Sequence, residues 1–215
     1  MTEMSFTSGL GRTYRYWTGE TPLFQFGHGL SYTSFHAEWA SDTDTDNDNE
    51  VVHDLGASPL HTPLAVPVST IPVPVPVSAP RPPVVFTSLK DQVTLTVRVT
   101  NTGARDGEEI IFLYHQPVNV PGAPAPLPKK RLIGFHRVAV SSSTHALHSP
   151  MGSAGAIVVT FTVDATMLGL TDNSGNTQLF PGEHNLRIEQ GPLSPALIQS
   201  VKVDTAGPVL IESLF

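Results

Sequence analysis

"QVTLTVRVTNTGARDGEEIIFLYH", residues 92–115, decides the fold of this chain. Val93, Leu95, Val97 and Val99 alternate with polar neighbours without an error, the period of a strand with one buried face. "NTGARDG" (101–107) reads as a turn, because Asn, Gly and Asp favour tight backbone geometry. "EEIIFLYH" (108–115) is apolar enough to lie in the middle of a sheet.

The same signals spread in both directions. "RLIGFHRVAV" (131–140) is a strand whose apolar phase shifts between Phe135 and Val138, which predicts a bulge at His136 and Arg137. "AIVVTFTV" (156–163) alternates through Ile157, Val159, Phe161 and Val163. "DNSG" (172–175) is a turn, and "TQLFPGEHNLRIE" (177–189) supplies two short strands around Pro181 and Gly182. "ALIQSVKV" (196–203) reads as another, and "SYTSFHAEWA" (31–40) places Phe35, Ala37 and Trp39 on one face. Six or seven short strands with turns between them predict an all-β, antiparallel sandwich of the immunoglobulin or fibronectin type III kind. No βαβ rhythm and no internal repeat runs through the chain.

Two regions stand apart. "SDTDTDNDNE" (41–50) and the proline-rich "HTPLAVPVSTIPVPVPVSAPRPP" (61–83) have nothing periodic to bury, so 41–83 is expected as a disordered or polyproline insertion. Docking 31–40 across it remains affordable. Lengthening a loop from about 5 to about 43 residues costs roughly 2 kcal/mol, and burying Phe35 and Trp39 returns roughly 1.5–3 kcal/mol each. Residues 11–35, "GRTYRYWTGETPLFQFGHGLSYTSF", are rich in aromatics and glycine but follow no single period.

Composition narrows the function. The chain has 215 residues, a formal net charge of −7 and no cysteine. An acidic balance disfavours nucleic acid and anionic membranes as partners, and no thiol is available for catalysis or metal binding. The first twelve residues lack the apolar core of a signal peptide, and no stretch is long enough to span a membrane. Asp42, Asp44, Asp46 and Asp48 begin like a calcium loop, but Asn47 and His53 stand where that loop needs glycine and glutamate. His145 and His148 lie close in sequence without acidic neighbours, and no nucleophile elbow follows Ser141, Ser142 or Ser143. Asp106, Glu108 and Glu109 read more simply as a charged hairpin mouth than as a carboxylate pair. The residues offer no catalytic group, metal site or cofactor site.

The opening stretch resembles the segment that closes the second catalytic domain of family-3 glycoside hydrolases, with its R-T-Y-R-Y and P-x-x-F-G-x-G-L-S-Y-T-x-F patterns. The β-xylosidase and α-arabinofuranosidase branch is most similar. "VTNTGARDGEEIIFLY" (99–114), "KKRLIGFHRVAV" (129–140) and "FPGEHNLRI" (180–188) resemble, in order, three motifs of the fibronectin type III-like domain that follows it. The resemblance covers residues 1–40 and about 84–190. It implies a division into 1–30 as a junction segment, 31–40 as the first strand, 41–83 as insertion, 84–205 as the sandwich and 206–215 as a tail.

The resemblance also implies what is absent. The family's nucleophilic aspartate and its acid/base glutamate belong to segments that find no counterpart here, and retaining hydrolysis needs both. The chain is therefore expected to be a non-catalytic C-terminal module that buttresses an enzyme acting on xylan, arabinan or β-glucoside oligosaccharides. An extracellular or cell-wall setting is implied by the resemblance alone. A stand-alone binding or adhesion module with a proline-rich interaction segment is the alternative. Tyr14, Tyr16, Trp17, Phe24 and Phe26 are expected to pack the domain junction, in cis with the catalytic domains. Tyr16 and Trp17 are the candidates for substrate binding if any of them stacks on sugar. Lacking one of their covers, residues 1–25 are expected to be poorly ordered or loosely docked, and residues 1–28 to promote self-association.

Overall fold

The computed structural model describes residues 5–40, 81–142, 155–191 and 194–213. The acidic run, the proline-rich segment to residue 80, Ser143, His145 and His148 lie outside the described residues. The strands in chain order are β1 Phe35–Trp39, β2 Val84–Phe86, β3 Gln92–Asn101, β4 Gly107–Asn119, β5 Arg131–Val140, β6 Ala156–Asp164, β7 Leu170–Thr171, β8 Thr177–Leu179, β9 Gly182–Glu189, β10 Leu197–Val203 and β11 Val209–Glu212. One sheet has the order β1-β3-β6 and a second the order β2-β10-β9-β4-β5, while β11-β8-β7 form a small third sheet. All pairings are antiparallel except that of β2 with β10.

The alternation in the sequence does what a period of two requires. Leu95, Val97 and Val99 of β3 and Val159, Phe161 and Val163 of β6 point into a core shared with Ile111 and Leu113 of β4 and Leu186 and Ile188 of β9. This is a two-sheet β-sandwich. Phe35 and Trp39 dock by pairing with Asn101 and Val97 of β3.

Four expectations change. The bulge is not at His136 and Arg137: the β4–β5 ladder slips where Leu113 faces Gly134 and Tyr114 faces Leu132, leaving Ile133 as the extra residue. The phase shift has another cause. His136 points inward onto Phe161, with ring centroids 4.7 Å apart, and Phe135 points outward and is exposed. β4 continues through Pro117 to Asn119, because its pairing with β5 stops at His115 and a missing N–H on that side breaks no ladder. Residues 101–107 are not the mouth of a hairpin, since β3 and β4 belong to different sheets. Within the expected tail, Val209–Glu212 pairs with β8, and Val209 and Ile211 pack on the core.

The turn after β3 is built around one amide. Asn101 is fully buried, and its Nδ2 donates to the carbonyls of Arg105 (2.7 Å) and Val140 (2.9 Å). Its Oδ1 accepts from Gly103 N–H (3.0 Å) and from the Thr33 hydroxyl (2.6 Å). Asp106 adds a bond from Ser142 N–H at 2.7 Å. Replacing Asn101 by Ala removes the donor to the buried Val140 carbonyl and to the half-buried Arg105 carbonyl, so we expect a loss of about 2–4 kcal/mol. Urea unfolding checks this by a lower midpoint at unchanged slope.

A second buried polar pair bridges β4 and β9. Among the described residues, the Phe180 carbonyl can only accept, so His184 Nε2 carries the hydrogen across 3.1 Å. His184 Nδ1 then accepts from His115 Nε2–H at 2.9 Å, leaving His115 Nδ1 a buried lone pair without a partner among the described residues. Burial holds both imidazoles below the ordinary value of 6.5, His115 the further, with His184 and the Arg131 charge adding to its shift. A depressed histidine makes the unfolded state the better proton binder. Its stabilising share is therefore complete above about pH 6.5 and lost as pH falls, by up to ~1.4 kcal/mol per pH unit for each group. Thermal melts between about pH 7.5 and pH 5 should show this fall. A His115→Phe/His184→Leu double variant should flatten it.

Candidate functional site

The outer face of β4 carries Ile110, Phe112, Tyr114 and Gln116, by alternation with the inward Ile111, Leu113 and His115. On an open sheet Tyr114 would be wet, yet it is almost completely buried. The opening stretch covers it. Tyr14, on the single helical turn α1 (Thr13–Tyr16), meets the Tyr114 ring edge-on at 6.0 Å and stacks on Phe26 at 4.3 Å. Phe26 in turn meets Phe112 at 6.1 Å. Gly27 follows with φ +83°, and a Cβ there would sit 3.0 Å from the Phe112 ring, so glycine lets the backbone cross that ring.

Polar contacts fix the cover. Tyr14 Oη accepts from Leu132 N–H at 3.1 Å, and the Arg15 carbonyl accepts from Lys129 N–H at 2.6 Å. Lys130 Nζ lies 4.1 Å from the Tyr114 ring centre and pairs with Glu189, which also receives Arg187 Nε at 3.0 Å. Burial, then the Glu189 charge, raises the Tyr114 phenol well above its ordinary value, so it stays neutral.

Between the opening stretch and Lys129–Lys130 lies a groove of about 540 Å³. Tyr14, Trp17, Phe24 and Phe26 form its apolar walls, and its polar groups include Glu20, Gln25 and Lys129 beside Thr13, Thr21 and Lys130. The two sequence candidates separate here: Trp17 lines the groove and Tyr16 does not. Asp106 and Glu108 serve the sandwich, the first through Ser142 and the second through an ion pair with Arg137. Glu109 accepts from Ile110 N–H at 2.8 Å, and burial raises its carboxyl. Among the described residues no cluster of three metal-ligating side chains occurs. The sequence reading missed Glu20, Gln25 and Lys129. Nothing in their spacing signals that a loop more than a hundred residues away closes the groove.

Comparison with known proteins finds relatives among exo-1,4-β-xylosidases. The exo-1,4-β-xylosidase xlnD of Aspergillus oryzae is 32% identical over 183 residues, 84% of this chain and 18% of that protein. The probable exo-1,4-β-xylosidase xlnD of Aspergillus terreus is 29% identical over 83% of this chain and 18% of its own length. A solved GH3 exo-β-xylosidase (XlnD) in complex with a xylobiose aziridine probe superposes with a TM-score of 0.58 at 21% identity, covering 98% of this chain and 23% of that one. The chain is homologous to the C-terminal part of family-3 glycoside hydrolases. It spans about a fifth of the length of these curated relatives. The β-glucosidase of Listeria innocua in complex with glucose has the same fold over 93% of this chain, with a TM-score of 0.56 at 18% identity. No protein-family model matches the chain.

The expectation that residues 1–25 dock loosely meets a mixed outcome among the described residues. Tyr14 seats on the sheet, whereas Leu23 and Phe24 remain exposed. Tyr14→Phe removes one hydrogen bond and should cost about 0.5–1.5 kcal/mol. Tyr14→Ala also removes two ring contacts worth roughly 0.5–1.5 kcal/mol each and should cost about 2–4 kcal/mol. Urea melts of both variants check the order. Faster hydrogen exchange at Leu132 and Lys129 should accompany the larger loss.

Proposed function

We propose that the chain is a non-catalytic module of a family-3 glycosidase that buttresses the catalytic body. The parent would hydrolyse O-glycosidic bonds in xylan, arabinan or β-glucoside oligosaccharides. One observation carries the reading: beside the seated Tyr14, the same segment holds Leu23, Leu30 and Tyr32 at 89%, 96% and 92% exposure. Large side chains left so bare on a segment otherwise anchored to the sheet mark a surface that meets another protein surface. The relatives' extra length supplies a partner in cis, since four fifths of each lies outside the matched region.

The non-catalytic part rests on chemistry. Retaining and inverting glycosidases both use two carboxyl groups flanking the scissile bond. The groove's lining presents one, Glu20.

Two measurements test the proposal. The purified chain should leave aryl xylosides, arabinofuranosides and glucosides intact relative to a buffer blank. Turnover that stays with the chain through purification overturns the non-catalytic role. A family-3 xylosidase trimmed of its matching segment should bind this chain and recover thermal stability. Leu30→Ser/Tyr32→Ser should weaken that association by about tenfold or more, each buried side chain being worth roughly 1.5–3 kcal/mol. No association with the wild-type chain overturns the buttressing role.

A further inference from the structure

We propose that the groove beside Trp17 is a non-catalytic binding site for a short, neutral oligosaccharide. Its construction argues for a ligand. Trp17 Nε1–H is spent on the Glu20 carbonyl at 2.7 Å, so the indole offers a ligand its ring and not its donor. Gly19 crosses the same ring so closely that a Cβ there would lie 2.5 Å from Cζ2. The indole is held from two sides, and Trp17 as a whole is still 37% exposed. A pre-set aromatic surface of this kind loses little rotamer freedom when something binds to it.

The polar groups select the class. Among the described residues no partner engages the Glu20 carboxylate, the Gln25 amide or the Lys129 ammonium. Lys130 is committed to Glu189 and to the Tyr114 ring. Glu20, Lys129 and Gln25 thus give one acceptor, one donor and one group that does both, with charges that cancel, while the Thr13 and Thr21 hydroxyls line the same groove. A hydroxyl donates and accepts, so it can satisfy each of the three. An apolar peptide face would cover them without partners, at a desolvation cost of about 1–3 kcal/mol apiece. A pyranose has hydroxyls around its edge and a C–H face that suits the negative face of an aromatic ring. The volume of about 540 Å³ falls among ligand sites and exceeds what one sugar ring needs.

The site stands apart from the buttressing role, which relies on Leu23, Leu30 and Tyr32 and is read with a catalytic body present. Here the chain alone is titrated by calorimetry with xylohexaose and, separately, cellohexaose. We expect saturable binding of at least one, with a dissociation constant on the order of 1 mM or tighter. Trp17→Ala should weaken it by about tenfold or more, one aromatic contact being worth roughly 0.5–1.5 kcal/mol beyond its buried area. Gly19→Ala keeps the indole but displaces it and should weaken binding comparably. Phe135→Ala, at an exposed ring outside the groove, should leave binding unchanged with the fold intact by circular dichroism. Failure of both sugars to bind saturably overturns the proposal. So does binding that survives both Trp17→Ala and Gly19→Ala, or that is lost in folded Phe135→Ala.

Discussion

The buried amide of Asn101 is the joint on which the sandwich hangs. Two sheets packed face to face need the chain to leave one and enter the other, and residues 101–107 make that crossing. A crossing normally exposes backbone groups, because it belongs to neither ladder. Asn101 resolves this by occupying the end of β3 and supplying two donors and an acceptor inward. It thereby ties the turn to Val140 at the end of β5, while Thr33 brings in the segment just before β1. Only a carboxamide offers that combination without a charge, and asparagine carries it on the shorter stem.

From that joint follows the outer face of β4. Once Ile111 and Leu113 are fixed inward, Phe112 and Tyr114 must point out, and a sheet showing two aromatics to water invites a cover. The opening stretch supplies it. Burying Tyr114 also brings Lys130, Glu189 and Arg187 into one partly dry cluster, where each charge has an opposite partner. Such a cluster adds little net stability, since desolvation offsets much of the attraction. It does fix the course of the chain at Lys129 and Lys130, and so one wall of the groove.

Sequence made the sandwich legible wherever alternation and burial coincide. β3 and β6 read residue by residue, because each has one wet and one dry face. The pattern misled where a second cover or a special contact intervened. Phe135 looks like core by type but faces out, and His136 looks polar but packs on Phe161. Pro117 lies past the expected strand 108–115, yet it sits in β4 where the pairing with β5 has already stopped and its lost donor is not needed. β11 is only four residues long and depends on pairing with β8, an interaction that local composition does not announce. The site was half visible. Trp17 stood out as a large aromatic between turn residues, but the partition between it and Tyr16 depends on which way one helical turn faces. The contribution of Lys129 depends on the fold bringing residue 129 to residue 15.

The opening stretch, finally, sorts into three physical states that composition alone could not separate. Tyr14 is seated, with Phe26 stacked on it though itself partly exposed, and their ring contacts contribute to the stability of the domain itself. Leu23, Leu30 and Tyr32 are bare, and burying each would contribute about 1.5–3 kcal/mol to whatever covers it. Trp17 is neither. It remains partly exposed while a hydrogen bond and a close backbone crossing hold it still. Holding an exposed side chain in one rotamer forfeits up to about 1.5–2 kcal/mol of entropy without the burial that would compensate it. A bare leucine suits a surface that another protein dries completely. A rigid, half-wet indole beside unspent polar groups suits a small amphipathic ligand, and that difference separates the groove from the docking strip a few residues away.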